Sequence, residues 1–491
     1  MPAPTDADVA IVGGGIAGLA CATALASLGL RVVVLEAGDA LGGRARSWRD
    51  GATSDVVDTG PHILLSEYRN LLALLERLGT RGQITWNRER FTTLVDGGRQ
   101  TAVRLARLPA PLHLLPSLLR IPSLSWGDLL SNLRVTWRAL RLDRRDMLAL
   151  DAVDARSFLR ASGVSARMIE WFWASACIAI LGVRLEQCSA GALLRFYQQM
   201  VGYDGYAVGF AGVGLAELFA QQSCAAVQRA GGAVLLDTAV AGITVQDGKA
   251  TGVELRDGQR VRARFCVAAV PPTALGTLVP APWQEADGAL RAAARFAPRP
   301  YISSYLWFDR KLTQQPFWAR VWTNGTLNTD FYDLSNIRPA LRGAPSLIAT
   351  NIICSERAAG LDDDAVIAAT LREIAQFAPN AAHARLRHAR VHRIPMAIPC
   401  PAPGTERLRP GTRTAIPGLL LAGDWLQTGL PASMESAARA GHLAADAIAL
   451  ELGVRTAFAL PLRPLRGLAR VVQRLPRLTA TAARRPAARP C

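Results

Sequence analysis

The sequence predicts an α/β chain. A parallel-sheet domain is interleaved along it with an α+β domain made of a mixed sheet and a helical insertion. Three observations predict this. Residues 8–46 run strand, glycine turn, helix, strand; a β-meander pattern follows near residue 250; a strand-to-helix unit closes the pattern near residue 420. Between them lie two stretches of different character, 80–205 and 273–400. Strands alternating with helices make a parallel sheet, and the intervening stretches make a second layer system.

The first unit is the most informative. Val9 to Val12 is a short apolar strand that ends in glycines, with Gly13, Gly15 and Gly18 at G-x-G-x-x-G spacing. Ile16 to Leu28 has helical length, Gly29 stops it, and Arg31 to Leu35 forms a second strand closing on Glu36. This is a Rossmann-like dinucleotide fingerprint in its required context. The first glycine allows the tight turn, the second admits a pyrophosphate, and the third lets helix and strand pack closely. The helix start at Ile16 and Ala17 offers unpaired N–H groups and a positive dipole end to the phosphates. Glu36, with Ala37 after it, can accept both ribose hydroxyls, and its charge repels a 2′-phosphate. FAD or NAD is therefore favoured over NADP. Gly42 and Gly43 let a second backbone loop approach, and Arg44 can place a cation near the phosphates.

Composition bounds the rest. The 491 residues are 50% hydrophobic and carry a formal net charge of +17, nearly all from arginine, since Lys249 and Lys311 are the only lysines. An apolar, basic chain suits a greasy substrate and an anionic membrane surface. Nucleic-acid signatures are missing from the pattern, so no nucleic-acid partner is expected. The eight cysteines are scattered without a C-x-x-C pair. They read as reduced thiols in a cytoplasmic protein, Cys177 being the one weighed as a catalytic thiol and assigned instead to the core. No metal site is expected. The apolar run 9–30 imitates a membrane span but belongs to the glycine motif.

Down the chain, Asp58-Thr59-Gly60-Pro61-His62 precedes an amphipathic helix, Tyr68 to Leu78. His62 is the one histidine in a motif-like setting. It either holds the loop or touches cofactor or substrate. In Leu105 to Leu142, prolines 109, 111, 116 and 122 break the first half. Ser125 then caps a single helix from Trp126 to about Arg141, whose face of Trp126, Leu129, Leu130, Leu133, Trp137 and Leu140 can close a substrate cavity or lie on a membrane. Helices follow over 154–163, 165–183 and 188–200, with Asp204 beyond them as a candidate acid. Two D-G hairpins, at Asp247-Gly248 and Asp257-Gly258, mark the meander. The Gly209–Glu217 stretch repeats G-x-G without the flanking strands and is rejected as a nicotinamide site. Tyr301–Phe308 and Ala384–Ile394 read as strands, and Asp364–Phe377 as a helix. Leu419 to Gly423 is a strand, followed by Asp424 and a helix that runs to about Leu450. The tail, 455–491, is rich in arginine and free of acids, with a short amphipathic helix expected over Leu465–Leu475.

The L-G-G-R-A-R segment at Leu41–Arg46 resembles the flavin amine oxidase and carotenoid desaturase clan. The resemblance covers residues 8 to about 450. It implies FAD held by Gly13, Gly15, Ile16, Ala17, Gly18, Glu36, Ala37, Gly42, Gly43 and Arg44. It adds Gly60, Pro61 and His62 near the flavin ring, and Val240 at the adenine edge. Gly423 and Asp424 fall at the ribityl or pyrophosphate portion, with Ala432, Ser433 and Met434 at a helix start facing the flavin. The implied FAD-binding domain is 1–79, 206–272 and 401–454; the substrate domain is 80–205 and 273–400; 455–491 is a basic tail.

Within the clan, Asp58–Leu65, Leu108–Leu112, Leu124–Asp128, Ala422–Trp425 and Thr428–Ala432 most resemble the squalene-associated, FAD-dependent hydroxysqualene dehydroxylases. That resemblance implies reductive removal of a hydroxyl from an apolar isoprenoid; an external electron donor or acceptor is expected, and the basic and apolar segments place the chain at the inner face of a membrane. Its catalytic acid stays open between Asp204 and His62. The family commonly carries D-N-G-Q-H where this chain has D-T-G-P-H, a form closer to the phytoene desaturases, which makes desaturation the alternative. Amine oxidases usually place a lysine on the strand equivalent to Tyr301–Phe308, where this chain has Ser303. A flavin-free prenyl-protein binder resembling the Rab GDP-dissociation inhibitors is the remaining alternative, opposed by the intact glycine loop, Glu36 and Asp424.

Overall fold

A computed structural model describes residues 6–476, apart from residue 89. Residues 477–491 of the basic tail lie outside the described residues. The first sheet has seven strands. Its order is Ala233–Leu235, Val32–Leu35, Asp6–Val12, Arg260–Ala268, Lys249–Leu255 and Val240–Gln246, with Leu419–Leu421 also on Arg260–Ala268. The strands around Asp6–Val12 pair in parallel, and the two D-G hairpin strands pair antiparallel. Parallel strands covered on both faces must be apolar throughout. Val32–Leu35 and Leu419–Leu421 are accordingly buried at every position. Helix Ile16–Ala26 covers the sheet and is itself wholly buried, because helix Met434–Glu451 packs against its outer side. Gly441 makes that packing possible: a Cβ there would stand 2.2 Å from the Ala17 carbonyl oxygen.

The second sheet also has seven strands. Leu386–Pro399, Pro298–Phe308, Leu347–Ile352, Asp330–Asp333 and Phe317–Arg320 run in that order, followed by the hairpin Thr92–Asp96 and Arg99–Val103. A parallel pairing of Phe317–Arg320 with Thr92–Asp96 joins the two stretches that were predicted to share a domain. Helix Asp363–Phe377 covers this sheet, with Trp318 stacked between Phe331 and Phe377.

In the helical insertion the expected cap at Ser125 is present, and the expected apolar face is divided. Ser125, Asp154, Ser165 and Ser189 each cap a helix through the side-chain oxygen, Ser125 with a full capping box to Asp128. The single helix expected from Trp126 is two, Trp126–Ser131 and Leu133–Leu140, divided at Asn132. Asn132 donates to the Tyr197 hydroxyl and accepts from the Trp173 indole. The expected apolar face also divides. Val135, Ala139 and Leu140 turn inward, while Trp126, Leu130, Leu133 and Trp137 are 69%, 61%, 60% and 48% exposed. A lid closed over a cavity by that face is therefore corrected. Burial follows the neighbours that α-helical residues 190–202 supply, and those neighbours sit behind Val135 and Ala139.

The amphipathic helix expected near the tail is Gly467–Arg474. It docks on the insertion through Ala469 N–H to the Ala110 carbonyl, 2.9 Å, and Arg141 to the Val472 carbonyl, 3.2 Å.

Candidate functional site

The glycine turn is built by close approach. Gly13 has φ +107°, and a Cβ there would meet the Ala269 carbonyl oxygen at 2.5 Å. A Cβ on Gly18 would stand 2.0 Å from the Gly13 carbonyl oxygen. The turn therefore clamps the start of helix Ile16–Ala26 against the strand ends. That start has no side-chain cap and no acid in its first turn. Its orphan N–H groups need an external acceptor, and an anion is the natural one.

A second glycine loop lies across the first. Gly42 N–H donates to the Gly14 carbonyl at 2.9 Å, and Gly15 and Gly42 form a parallel bridge. A Cβ on Gly15 would find only the Gly42 carbonyl oxygen, 4.0 Å away, so the space above it is open. Glu36 accepts from Gly14 N–H at 2.7 Å and Gly38 N–H at 2.9 Å. Ala37 is exposed beside it. Thr238 N–H reaches the Glu36 carbonyl at 2.8 Å, which brings the start of strand Val240–Gln246 to the same edge.

The third segment meets the second through charge. Arg44 donates to both Asp424 oxygens, at 2.7 and 3.1 Å, and to the Ala397 carbonyl at 3.2 Å. Arg44 is expected near the phosphates and Asp424 at the ribityl or pyrophosphate portion; they face each other, because strand Leu419–Leu421 delivers Gly423 and Asp424 to the glycine loops. A bidentate guanidinium–carboxylate pair fixes both loops at once. Ser433 caps helix Met434–Glu451, and Ala432 precedes it. Met434 packs in one apolar cluster with Ile16 and Leu19. Glu435 points elsewhere: it accepts from Asn70 N–H, Asn70 Nδ2 and Leu71 N–H at 2.8–2.9 Å, capping helix Arg69–Arg77 from outside.

The Asp58–His62 loop lies between the two sheets. Asp58 is buried and paired with Arg338 at 2.7 Å, and it also accepts from Ser47 and Leu215 N–H. His62 Nδ1 is 2.8 Å from the Gly60 carbonyl. Asn351 donates to the Pro61 carbonyl at 3.3 Å and to Asp330 at 3.2 Å. Asp330 also accepts from the Tyr332 hydroxyl at 2.5 Å and from Thr329. Burial pushes the Asp330 carboxyl up and the His62 imidazole down, each partly offset by its hydrogen bonds and by the other's charge. Ser303, wholly buried, donates to the Thr350 carbonyl beside Gly60. Lys311 bonds Ser335, and Lys249 opens a hairpin strand.

Asp204 serves as a joint. Its carboxylate accepts from Ala110 N–H at 3.1 Å and lies 3.8 Å from Arg466, tying the insertion to the tail segment. The residues that the sequence reading missed are Asp330, Tyr332, Asn351 and Arg338. One signal was present: Asp330 and Tyr332 alternate with Phe331, placing two polar groups on one face of a strand that is buried at every position. Also missed was a buried triad, in which Glu406 joins Arg195 to Arg409 and Arg409 holds the Asp424 carbonyl. It lines a small pocket of about 10 Å³ beside Pro431 and Ala432.

The sequence profile of the flavin containing amine oxidoreductases matches residues 16–449. The chain belongs to that family. It is an FAD-dependent oxidoreductase of the flavin amine oxidase fold. The 15-cis-phytoene desaturase of Synechococcus elongatus is 27% identical over 464 residues, covering 90% of this chain and 95% of the relative. The corresponding protein of Solanum lycopersicum is 26% identical over 463 residues, covering 91% of this chain and 78% of the relative. The solved cyclohexylamine oxidase of Brevibacterium oxydans superposes with a TM-score of 0.65 at 22% identity, covering 91% of this chain and 100% of that one.

The amine oxidoreductase scaffold of this chain fits FAD on its own geometry. The uncapped helix start at Ile16–Gly18, the open face of Gly15 and the Glu36 carboxylate match a pyrophosphate and a ribose. The bound flavin supplies two-electron hydride chemistry. The protein's share is to grip, orient and exclude water.

Proposed function

We propose that this flavoenzyme desaturates a long apolar isoprenoid of the phytoene type. The observation that supports it is likeness along 90% of the chain to a phytoene desaturase. The desaturase reading thereby gains on hydroxysqualene dehydroxylation, whose motif likeness is confined to short segments. Ser303 beside Gly60, where the family's amine oxidases usually carry lysine, also argues against amine chemistry. Electrons leave the reduced flavin to an external acceptor. The deciding experiment is anaerobic: oxidised enzyme with phytoene, and separately reduced enzyme with hydroxysqualene. A conjugated polyene together with flavin bleaching is expected in the first mixture. Squalene in the second, with no polyene in the first, overturns the reading in favour of dehydroxylation.

The substrate is drawn from the cytoplasmic face of a membrane. Among the described residues no helix is long and apolar enough to cross one. Trp126, Leu130, Leu133 and Trp137 are exposed, and helix Leu133–Leu140 packs against the tail helix Gly467–Arg474, whose Leu468 and Val471 are exposed too; the two helices also carry Arg134, Arg138, Arg470 and Arg474. Apolar side chains interleaved with arginine suit an anionic lipid surface. Trp126→Ser/Trp137→Ser is expected to lower flotation with phosphatidylglycerol vesicles about tenfold, the loss of ~1.4 kcal/mol. Unchanged flotation removes this face as the contact.

A further inference from the structure

The buried groups around His62 have a use beyond holding a loop. Four elements contribute them: the Asp58–His62 loop, strand Pro298–Phe308 with Ser303, strand Asp330–Asp333, and strand Leu347–Ile352 with Asn351. Asp330, Tyr332, Asn351 and Ser303 are each at most 9% exposed. A carboxyl group in such a place is costly unless something uses or balances it.

The charges facing His62 come from Asp58, Asp330 and Arg44. Asp58 is neutralised by Arg338, and Arg44 by Asp424. Among the described residues Asp330 has no cationic side chain within ion-pairing distance. It is held only by the neutral donors Thr329, Tyr332 and Asn351. The unbalanced charge beside His62 is therefore that of Asp330. The tautomer of His62 follows from its neighbour. A carbonyl oxygen can only accept, so Nδ1 carries the proton toward Gly60 and Nε2 keeps its lone pair. His62 lies deep in the protein yet keeps accessible surface, so the ring borders interior space.

We infer that His62 exchanges the proton that accompanies hydride transfer, and that Asp330 is a positioning residue supplying the countercharge for the resulting imidazolium. The inference rests on the desaturase reading. Removing two hydrogens from adjacent carbons breaks two C–H bonds. One hydrogen leaves as hydride, with both electrons, to the oxidised flavin. The other leaves as a proton to His62 Nε2, and its electron pair becomes the new π bond. Neutral imidazole is the competent form, and burial, which holds His62 below its ordinary range, keeps it neutral at neutral pH. Asp330 then stabilises the protonated ring, and Asn351 keeps Asp330 in register with the Pro61–His62 backbone.

Histidine NMR titration of the FAD-loaded protein tests the pair without substrate. Six histidines are present, and His62→Gln assigns the signal. Asp330→Asn removes a negative charge and must lower the His62 pKa, by about one unit. An unmoved titration overturns the pairing, whatever the substrate. Turnover tests the proton step. His62→Gln should slow flavin reduction by phytoene on the order of 100-fold, with FAD retention and KM little changed. Asp330→Asn should move the acidic limb of kcat/KM to lower pH, in parallel with the NMR shift, a change that loss of a purely structural contact does not produce. Full turnover in His62→Gln overturns the proton role. If the wild type is inert to phytoene, the substrate reading fails while the titration still decides the pair.

Discussion

Gly18→Ala yields a colourless protein. The added Cβ would lie 2.0 Å from the Gly13 carbonyl oxygen and 3.2 Å from its carbon, both backbone atoms in a turn that is itself wedged against Ala269. Neither side has a flexible group to yield. The helix must move away from the strand ends, and its first N–H groups leave the pyrophosphate position. Ile16–Ala26 is buried along its whole length, between the sheet and helix Met434–Glu451, so the shift also disturbs packing on both faces. FAD affinity is expected to fall at least about 100-fold, or ~2.7 kcal/mol. Visible flavin absorbance after purification, and titration of the apoprotein with FAD, measure it. Gly360→Ala is the control: a Cβ there meets nothing within 4 Å, and its FAD binding stays at the wild-type level. A yellow Gly18→Ala protein with wild-type affinity would show that the glycine is not needed for the approach.

Arg338→Met is expected to cost the fold about 3–5 kcal/mol, the usual loss when one partner of a buried ion pair is removed. Arg338 and Asp58 side chains are each 5% exposed. The arginine also donates to the Val56 carbonyl, and Asp58 accepts from Ser47 and Leu215 N–H, so the pair joins the second sheet to three parts of the first domain. Without the guanidinium, a carboxylate stays buried with neutral donors only. Asp58→Asn/Arg338→Met should recover part of the loss, since no charge is then stranded. Urea unfolding followed by flavin fluorescence and by circular dichroism checks both variants. A single-variant loss below about 1 kcal/mol would mean that water reaches Asp58 and the pair behaves as a surface contact.

Several features were legible because they are local. A strand ending in glycines, the helix cap at Ser125 and D-G hairpins each need certain residues at fixed short spacings. The exposed side of the Trp126–Leu140 helices was not legible, because an apolar stripe reads the same whether it meets protein or lipid. Asp204 drew attention as an acid among tyrosines, and its true neighbours, Ala110 and Arg466, lie far away along the chain.

By itself the sequence determined the local geometry proposed to hold the cofactor. The backbone approaches at Gly13, Gly15 and Gly18, the acid at Glu36 and the return at Gly423-Asp424 are demands on single residues, and such demands leave fixed patterns. Only the tertiary structure decided which charges meet. Arg44 and Asp424 are 380 positions apart, and Asn351 reaches Pro61 across 290. Their pairing depends on the register of two sheets and the placement of a loop between them. Sheet register is a sum over many weak contacts along both strands, so no short stretch of sequence carries it.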